Sequence, residues 1–297
     1  MAIQLRVTQQ SIAARVLVGL QANLDRVGTL QERLSSGRII NRPSDSPTGT
    51  VAAMQLRSER RMMQQYVRNA DDGLGWLNTL DATLTSISSQ LNRVRDLTLQ
   101  AMSSGAAASA EAREALAVEV ENIREALIGL ANTRYLDRPV FGGTTPGTVA
   151  YEMDGTYVGD DGQVWRTVGD GTKVRVDVTG PETFGTGSTQ LFAVLSSIAQ
   201  NMRSNTTALG ADLDNLDAAI TRIRTQLADV GARANRVMNM RQTAEDRLLT
   251  LDTQLSEVES VDLPETIMQL RLQEVAYQAA LAASARVIQP SLLDFVR

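Results

Sequence analysis

The chain contains no cysteine and no histidine among its 297 residues. Without thiolate or imidazole side chains it cannot form a disulfide framework, a Cys/His zinc site or a Ser-His or Cys-His nucleophile pair. We therefore expect no enzyme activity, no cofactor and no metal site. The formal net charge of −5 also argues against nucleic-acid binding, because phosphate recognition depends on clustered positive charge.

Long hydrophobic runs are also missing, and no window reaches about 18 consecutive apolar residues. The start of the chain, MAIQLRVTQQ, lacks the basic segment followed by an apolar segment that a secretory signal peptide needs. We therefore expect a chain that does not enter a membrane and that is exported, if at all, without a cleaved signal peptide.

Proline is scarce, and its positions mark where long helices can run. The seven prolines leave residues 48–138 and 182–263 free of this helix breaker. Both stretches are rich in Ala, Leu, Arg, Gln and Glu, which favour helix. This distribution predicts two long helical regions on either side of a middle segment.

The middle segment, residues 139–192, has a different composition. It contains eleven of the 21 glycines and six of the eleven aromatic residues, a composition typical of β-structure. Val174, Val176 and Val178 alternate with polar residues up to Thr179, as in a half-buried strand. The Gly-Asp-Gly turn at 169–171 predicts a hairpin. We therefore expect a small β-rich domain inserted between helices.

The helical stretches carry heptad patterns. Buried-type residues recur every three or four positions from Leu77 to Ala101 and from Leu213 to Val258, the latter series broken once at Arg241. Such repeats mark faces that pack against partner helices. A shorter series comprises Val118, Ile123, Leu127 and Leu130. The predicted fold class is mainly α, a long antiparallel coiled-coil bundle built from both chain ends, with the β-rich domain in the middle.

Each chain end is predicted to carry one helix set apart from this bundle. The first ends near Gly37, a residue that can adopt a left-handed cap, and Ser46-Pro47 suits the N-cap and first residue of the next helix. Pro264 interrupts the long heptad series. Because exposed apolar stripes mark association surfaces, we predict that the terminal helices pack on each other and on copies of themselves. The predicted assembly residues are Leu17, Leu20, Leu24, Val27 and Leu34 on the N-terminal helix, and Leu263, Ile267, Leu270, Tyr277, Leu281 and Ile288 on the C-terminal helix.

These boundaries predict three domains. Residues 1–42 with 262–297 would form a terminal helical domain, residues 43–138 with 193–261 a helical rod domain, and residues 139–192 the inserted domain. A coiled-coil signalling protein would also contain long helices, but it would need membrane spans or a sensor domain, and the sequence offers neither.

Several segments resemble the flagellin superfamily. The residues after the first helix look like the flagellin-type stretch at that place, and a later helix segment and the run from Leu270 to Val287 are also similar to that family. The resemblance implies a structural, motility-related subunit of the bacterial flagellum, located outside the cell and exported by the flagellar type III apparatus. The motif residues are Ser36, Gly37, Arg38, Asn41, Asp45, Arg93 and Leu97.

Three further features resemble the hook-filament junction proteins of this superfamily. They are Asn132 to Tyr135 leading to Val140 to Thr144, the turn segment Tyr151 to Asp161, and the ending Asp294-Phe295-Val296, with Gly142 where that pattern usually has Ser. The resemblance implies a place between hook-associated protein 1 and the flagellin filament. It also implies self-association in a helical lattice and a flagellar export chaperone as partner. Filament flagellin remains the alternative, because both classes share the helical arms.

Overall fold

The computed structural model describes the backbone of residues 2–104 and 109–288 and the side chains of residues 11, 14–103 and 109–285. Its helices are α1 (Ala2–Ser36), α2 (Pro47–Ser104), α3 (Ala110–Ala131), α4 (Gly180–Phe184), α5 (Leu191–Ser204), α6 (Leu209–Glu259) and α7 (Leu263–Ile288). Its strands are β1 (Arg134–Tyr135), β2 (Arg138–Pro139), β3 (Trp165–Gly169) and β4 (Thr172–Arg175). The prediction of a mainly helical fold with a small β-region in the middle is confirmed. None of the described helices is both long and apolar enough to cross a membrane.

The chain forms two compact units. The first contains Met1–Arg61 and Leu249–Arg297, and the second contains Met62–Leu248. The β-region lies in the second unit together with α3 and α5. The division into three domains, with residues 139–192 as a domain of their own, stays a prediction.

The second unit has one continuous hydrophobic core, to which α2 and α6 contribute their heptad faces. Every position of the series from Leu77 to Ala101 is buried, and every position of the α6 series is buried or half-buried. These two heptad predictions are confirmed. The series in α3 is wrong at Val118, which is 41% exposed. The buried face of α3 runs instead through Ala117 and Val120, and Val118 points about 100° away from it.

Arg241, the break in the α6 heptad, is an ion-paired position. Its guanidinium group lies 2.7 Å from the carboxylate of Asp71 and 3.1 Å from that of Glu245. The side chain is half-buried, so its aliphatic part covers the core while its charge is paired at the margin.

The predicted hairpin is present as β3 and β4, which pair in antiparallel register with Trp165 opposite Arg175. The second strand is shorter than predicted, because it ends at Arg175 rather than continuing to Thr179. The cause is Asp177, whose buried carboxylate accepts a hydrogen bond from the backbone N–H of Val164 (2.7 Å) and one from Arg175 Nε (3.1 Å). A side chain thus takes over part of the pairing that a strand backbone would provide.

Aromatic side chains form the centre of the middle segment. Neighbouring ring centroids lie 5.0 to 5.4 Å apart, mostly edge to face, the arrangement that aromatic quadrupoles favour. The cluster is continuous with the helical core of the second unit. Its members are Phe141, Tyr151, Tyr157, Phe184 and Phe192.

The turn between β1 and β2 is strained. Leu136 and Asp137 have φ values of 46° and 63°, although neither is glycine, and the Leu136 side chain is 72% exposed. Two-residue hairpin turns with positive φ at both positions favour Asn-Gly.

Replacing Leu136-Asp137 with Asn-Gly is therefore expected to raise the free energy of unfolding of the second unit by about 1 kcal/mol. The lost ion pair between Arg134 and Asp137 counts for little, because the Asp137 side chain is almost fully exposed. Urea unfolding measures the gain. Leu136→Ala, which keeps the left-handed strain, should give no gain, and a loss of stability in the Asn-Gly variant would contradict the argument.

Candidate assembly interface

Helices α1 and α7 pack against each other within the first unit. Most of the positions that are buried or half-buried on both helices are spaced alternately four and three residues apart, as in a coiled coil. We call these two facing stripes the α1–α7 seam. Its members are Val16, Leu20, Asn23, Val27, Leu30 and Leu34 on α1, and Thr266, Leu270, Gln273, Tyr277, Ala280 and Ser284 on α7.

The two helices run antiparallel. Gln273 Nε2 donates a hydrogen bond to Asn23 Oδ1 across the seam (3.1 Å). Ten residues further along α1, Arg33 lines a groove together with Gln269 of α7. Residue numbers therefore increase along α1 in the direction in which they decrease along α7.

The predicted assembly residues do not share one surface. Five lie in the seam, five are exposed, and the side chain of Ile288 lies outside the described residues. The seam residues are Leu20, Val27, Leu34, Leu270 and Tyr277, and the exposed residues are Leu17, Leu24, Leu263, Ile267 and Leu281. The residues selected from the sequence pattern therefore come from two different faces of each helix. The role of these residues in assembly stays a prediction.

A second apolar stripe on α7 was missed by sequence reasoning. Met268, Leu272 and Val275 are 66%, 72% and 63% exposed and lie outside the seam, with Leu272 at the edge of the groove that Arg33 and Gln269 also line. We call these three residues the outer stripe. Their spacing of four and three residues repeats the seam pattern two positions later, and α7 has only four charged residues along its 26. These two signals could have revealed the stripe.

The motif residues Ser36 to Arg38 lie where two helix connections meet. Gly37 has a φ of 69°, which confirms the predicted left-handed cap. Its carbonyl oxygen accepts a hydrogen bond from the backbone N–H of Val261 (3.1 Å), and Arg38 forms an isolated antiparallel bridge with Ser260. The connection between α1 and α2 is thereby joined to the connection between α6 and α7.

Asp45 closes the loop that follows. Its carboxylate accepts hydrogen bonds from the backbone N–H groups of Arg42 (2.8 Å) and Asn41 (3.0 Å). These donors favour the charged form and lower the pKa of Asp45 below its usual range. Ser46 Oγ accepts a hydrogen bond from the Gly49 N–H (3.1 Å), which confirms the predicted N-cap of α2.

Arg93 and Leu97 belong to α2 in the second unit. Arg93 forms an ion pair with Glu119 of α3 (2.7 Å), and Leu97 is buried in the core. Leu97 therefore stabilises the packing of the second unit, whereas Arg93 lies at its surface. The structure does not bring these two residues into one site.

The described residues contain no group of three or more acidic, His or Cys side chains that could hold a metal ion. The interactions found around α1 and α7 are apolar side-chain contacts and backbone hydrogen bonds. Such an arrangement suits association with another protein chain.

Comparisons with known proteins point to one superfamily. Residues 7–143 match the family model of the bacterial flagellin N-terminal helical region. Flagellin FlaB1 of Treponema pallidum is 26% identical over 281 residues, which cover 92% of this chain and 93% of that protein. Flagellar hook-associated protein 3 of Escherichia coli is 24% identical over 278 residues, which cover 85% of this chain and 87% of that protein.

Solved structures share the fold. The flagellar hook-associated protein 3 of Legionella pneumophila aligns with a TM-score of 0.61 at 15% identity. The alignment covers 69% of this chain and 98% of that one. At this identity the likeness concerns the fold alone.

Proposed function

We propose that this chain is a structural subunit of the bacterial flagellum at the junction between hook-associated protein 1 and the flagellin filament, because residues 7–143 match the flagellin N-terminal family model and flagellar proteins align with most of the chain. The outer stripe of α7 carries this proposal. That helix already packs its seam residues against α1, and yet Met268, Leu272 and Val275 lie outside the seam and are exposed. A helix that is apolar on both sides is typical of a position buried all round. A second copy of the chain supplies the missing partner.

The energetics support association through this stripe. Burying one side chain of this size stabilises a complex by roughly 1.5 to 3 kcal/mol. Covering the three residues would therefore contribute several kcal/mol for each subunit contact. A head-to-tail contact repeats from one subunit to the next and generates a ring or a helical lattice.

The proposal includes further partners. Hook-associated protein 1 would lie on one side of the subunit and flagellin on the other, and an export chaperone would cover the C-terminal helix before assembly. The chemical reason for the chaperone is that an uncovered apolar stripe promotes aggregation. Export would use the flagellar apparatus without a cleaved signal peptide.

The substitution Leu272→Asp tests the proposal. We expect at least about tenfold less protein in sheared flagella, because the lattice contact would bury an unpaired carboxylate. The melting temperature of the second unit should stay unchanged, since Leu272 belongs to the first unit. Immunoblots of flagella and of whole cells measure incorporation against expression. Gln278→Asp, at an exposed polar position of α7, is the matched control, and normal incorporation of Leu272→Asp would contradict the proposal.

Filament flagellin is the second candidate, favoured by the similarity to a flagellin over 92% of this chain. The two candidates differ in their place along the flagellum. Immunogold labelling should mark a narrow band at the end of the hook if the chain is a junction subunit. Label along the whole filament would favour flagellin instead.

A further inference from the structure

The α1–α7 seam contains four polar residues, and two of them are satisfied within their own helix. Thr266 Oγ1 donates to the carbonyl oxygen of Asp262 (2.7 Å), and Ser284 Oγ donates to that of Ala280 (2.6 Å). These hydroxyl groups need nothing from α1. They place no constraint on how the two helices are aligned.

The other two polar residues depend on each other. Gln273 Nε2 donates to Asn23 Oδ1, and the same oxygen accepts a hydrogen bond from Arg26 Nη2 (2.5 Å) on the next turn of α1. Arg26 therefore orients the Asn23 carboxamide with its oxygen at the seam. Both amides are partly buried, so losing the partner would leave a desolvated donor on Gln273.

We propose that the hydrogen bond between Asn23 and Gln273 sets the register of α1 against α7, so that the two chain ends align in a single way. Backbone bonds between residues 37–39 and 259–261 hold the connected ends of the two helices together. Farther along the seam the apolar residues alone do not fix the register, because their spacing repeats every seven residues. A shift of one heptad would place Leu20 opposite Leu270 instead of Tyr277, and both pairings are apolar. The inference rests on the proposed function only in placing the paired ends within the flagellum.

A shifted register would break the backbone pairing of residues 37–39 with residues 259–261, and within the seam it is penalised at one polar position. Moved by seven residues, the Gln273 amide would face Val16 or Leu30, neither of which has a side-chain acceptor. One polar pair in an otherwise apolar coiled coil specifies alignment in this way, at some cost in stability. The Asn23–Gln273 pair therefore discriminates against the wrong alignment more than it strengthens the right one.

Disulfide cross-linking can read the register, because the natural chain has no cysteine. Leu20→Cys with Tyr277→Cys reports the alignment in the structure, and Leu20→Cys with Leu270→Cys reports a shift of seven residues. In isolated flagella we expect the first pair to form at least about ten times more cross-link than the second. Adding Asn23→Leu and Gln273→Leu should reduce this ratio at least about fivefold.

A matched control keeps both side-chain amides but exchanges the shorter and the longer side chain between the two helices. Asn23→Gln with Gln273→Asn retains the same number of methylene groups and a hydrogen bond across the seam, so the cross-link ratio should stay near that of the natural pair. An unchanged ratio in the Leu-Leu variant would overturn the inference. An equal fall of the ratio in both double variants would also overturn it, since packing rather than hydrogen bonding would then set the register.

The register and the proposed function can fail separately. Absence of the otherwise natural chain from flagella would contradict the proposed function, and the same cross-links would then be measured on the purified full-length chain. Absence of both cross-links in flagella and in the purified chain would overturn the inference, because the seam would not form.

Discussion

Replacing Val230 with Asp is expected to lower the free energy of unfolding of the second unit by about 4 kcal/mol or more. Val230 lies on the heptad face of α6 and is completely buried in the core. A carboxylate at this position would lose its hydration without gaining a partner. The nearest cation along the helix, Arg233, already pairs with Asp229 and donates to the backbone oxygen of Asp177 (2.9 Å). It therefore offers little compensation.

Urea unfolding followed by circular dichroism measures this loss. Met238→Asp is the matched control, because Met238 lies on the same helix and is half exposed. We expect the control to cost less than about 0.5 kcal/mol. Val230→Ala separates cavity formation from charge burial and should fall between the two. If Val230→Asp unfolds at the same urea concentration as Met238→Asp, the heptad face of α6 has been wrongly assigned.

The sequence predicted the helices of the second unit well because their heptad pattern of apolar residues is long and keeps the same face throughout. In α2 and α6 the apolar positions repeat over many turns, and one polar break, Arg241, does not change the phase. The β3–β4 hairpin was predictable for a different reason, since Gly171 has the positive φ that its turn requires. The shorter strand was not predictable, because the buried role of Asp177 depends on Val164, thirteen residues away.

The terminal helices were harder because α7 is apolar on two sides. Two series of apolar residues with the same spacing are then present on α7, and the spacing alone does not show which of them packs against α1. This is why the predicted set combined seam residues such as Leu270 with exposed residues such as Ile267. The Asn23–Gln273 pair was invisible for a related reason. Each residue appears as a polar interruption of its own series, and the two are 250 positions apart.

Phe184→Ala is expected to lower the free energy of unfolding by about 3 to 5 kcal/mol. The ring of Phe184 is fully buried and contacts those of Phe141, Tyr151 and Phe192. Removing it leaves a cavity between rings that have little freedom to move closer together. Phe184→Leu, which fills part of the cavity, should lose less stability.

The informative result is whether Phe184→Ala shifts the unfolding transition of the helices, of the β-region, or of both. The aromatic cluster and Val230 belong to one continuous core, so Phe184→Ala should destabilise the helices and the β-region together. The chain has two tryptophans, Trp76 in α2 and Trp165 in β3, so Trp165→Phe and Trp76→Phe backgrounds report the two regions separately by fluorescence. Coincident midpoints would show a single cooperative unit. If Trp165 instead reports an early transition while Trp76 is unaffected, residues 139–192 unfold as a domain of their own, as their composition suggests.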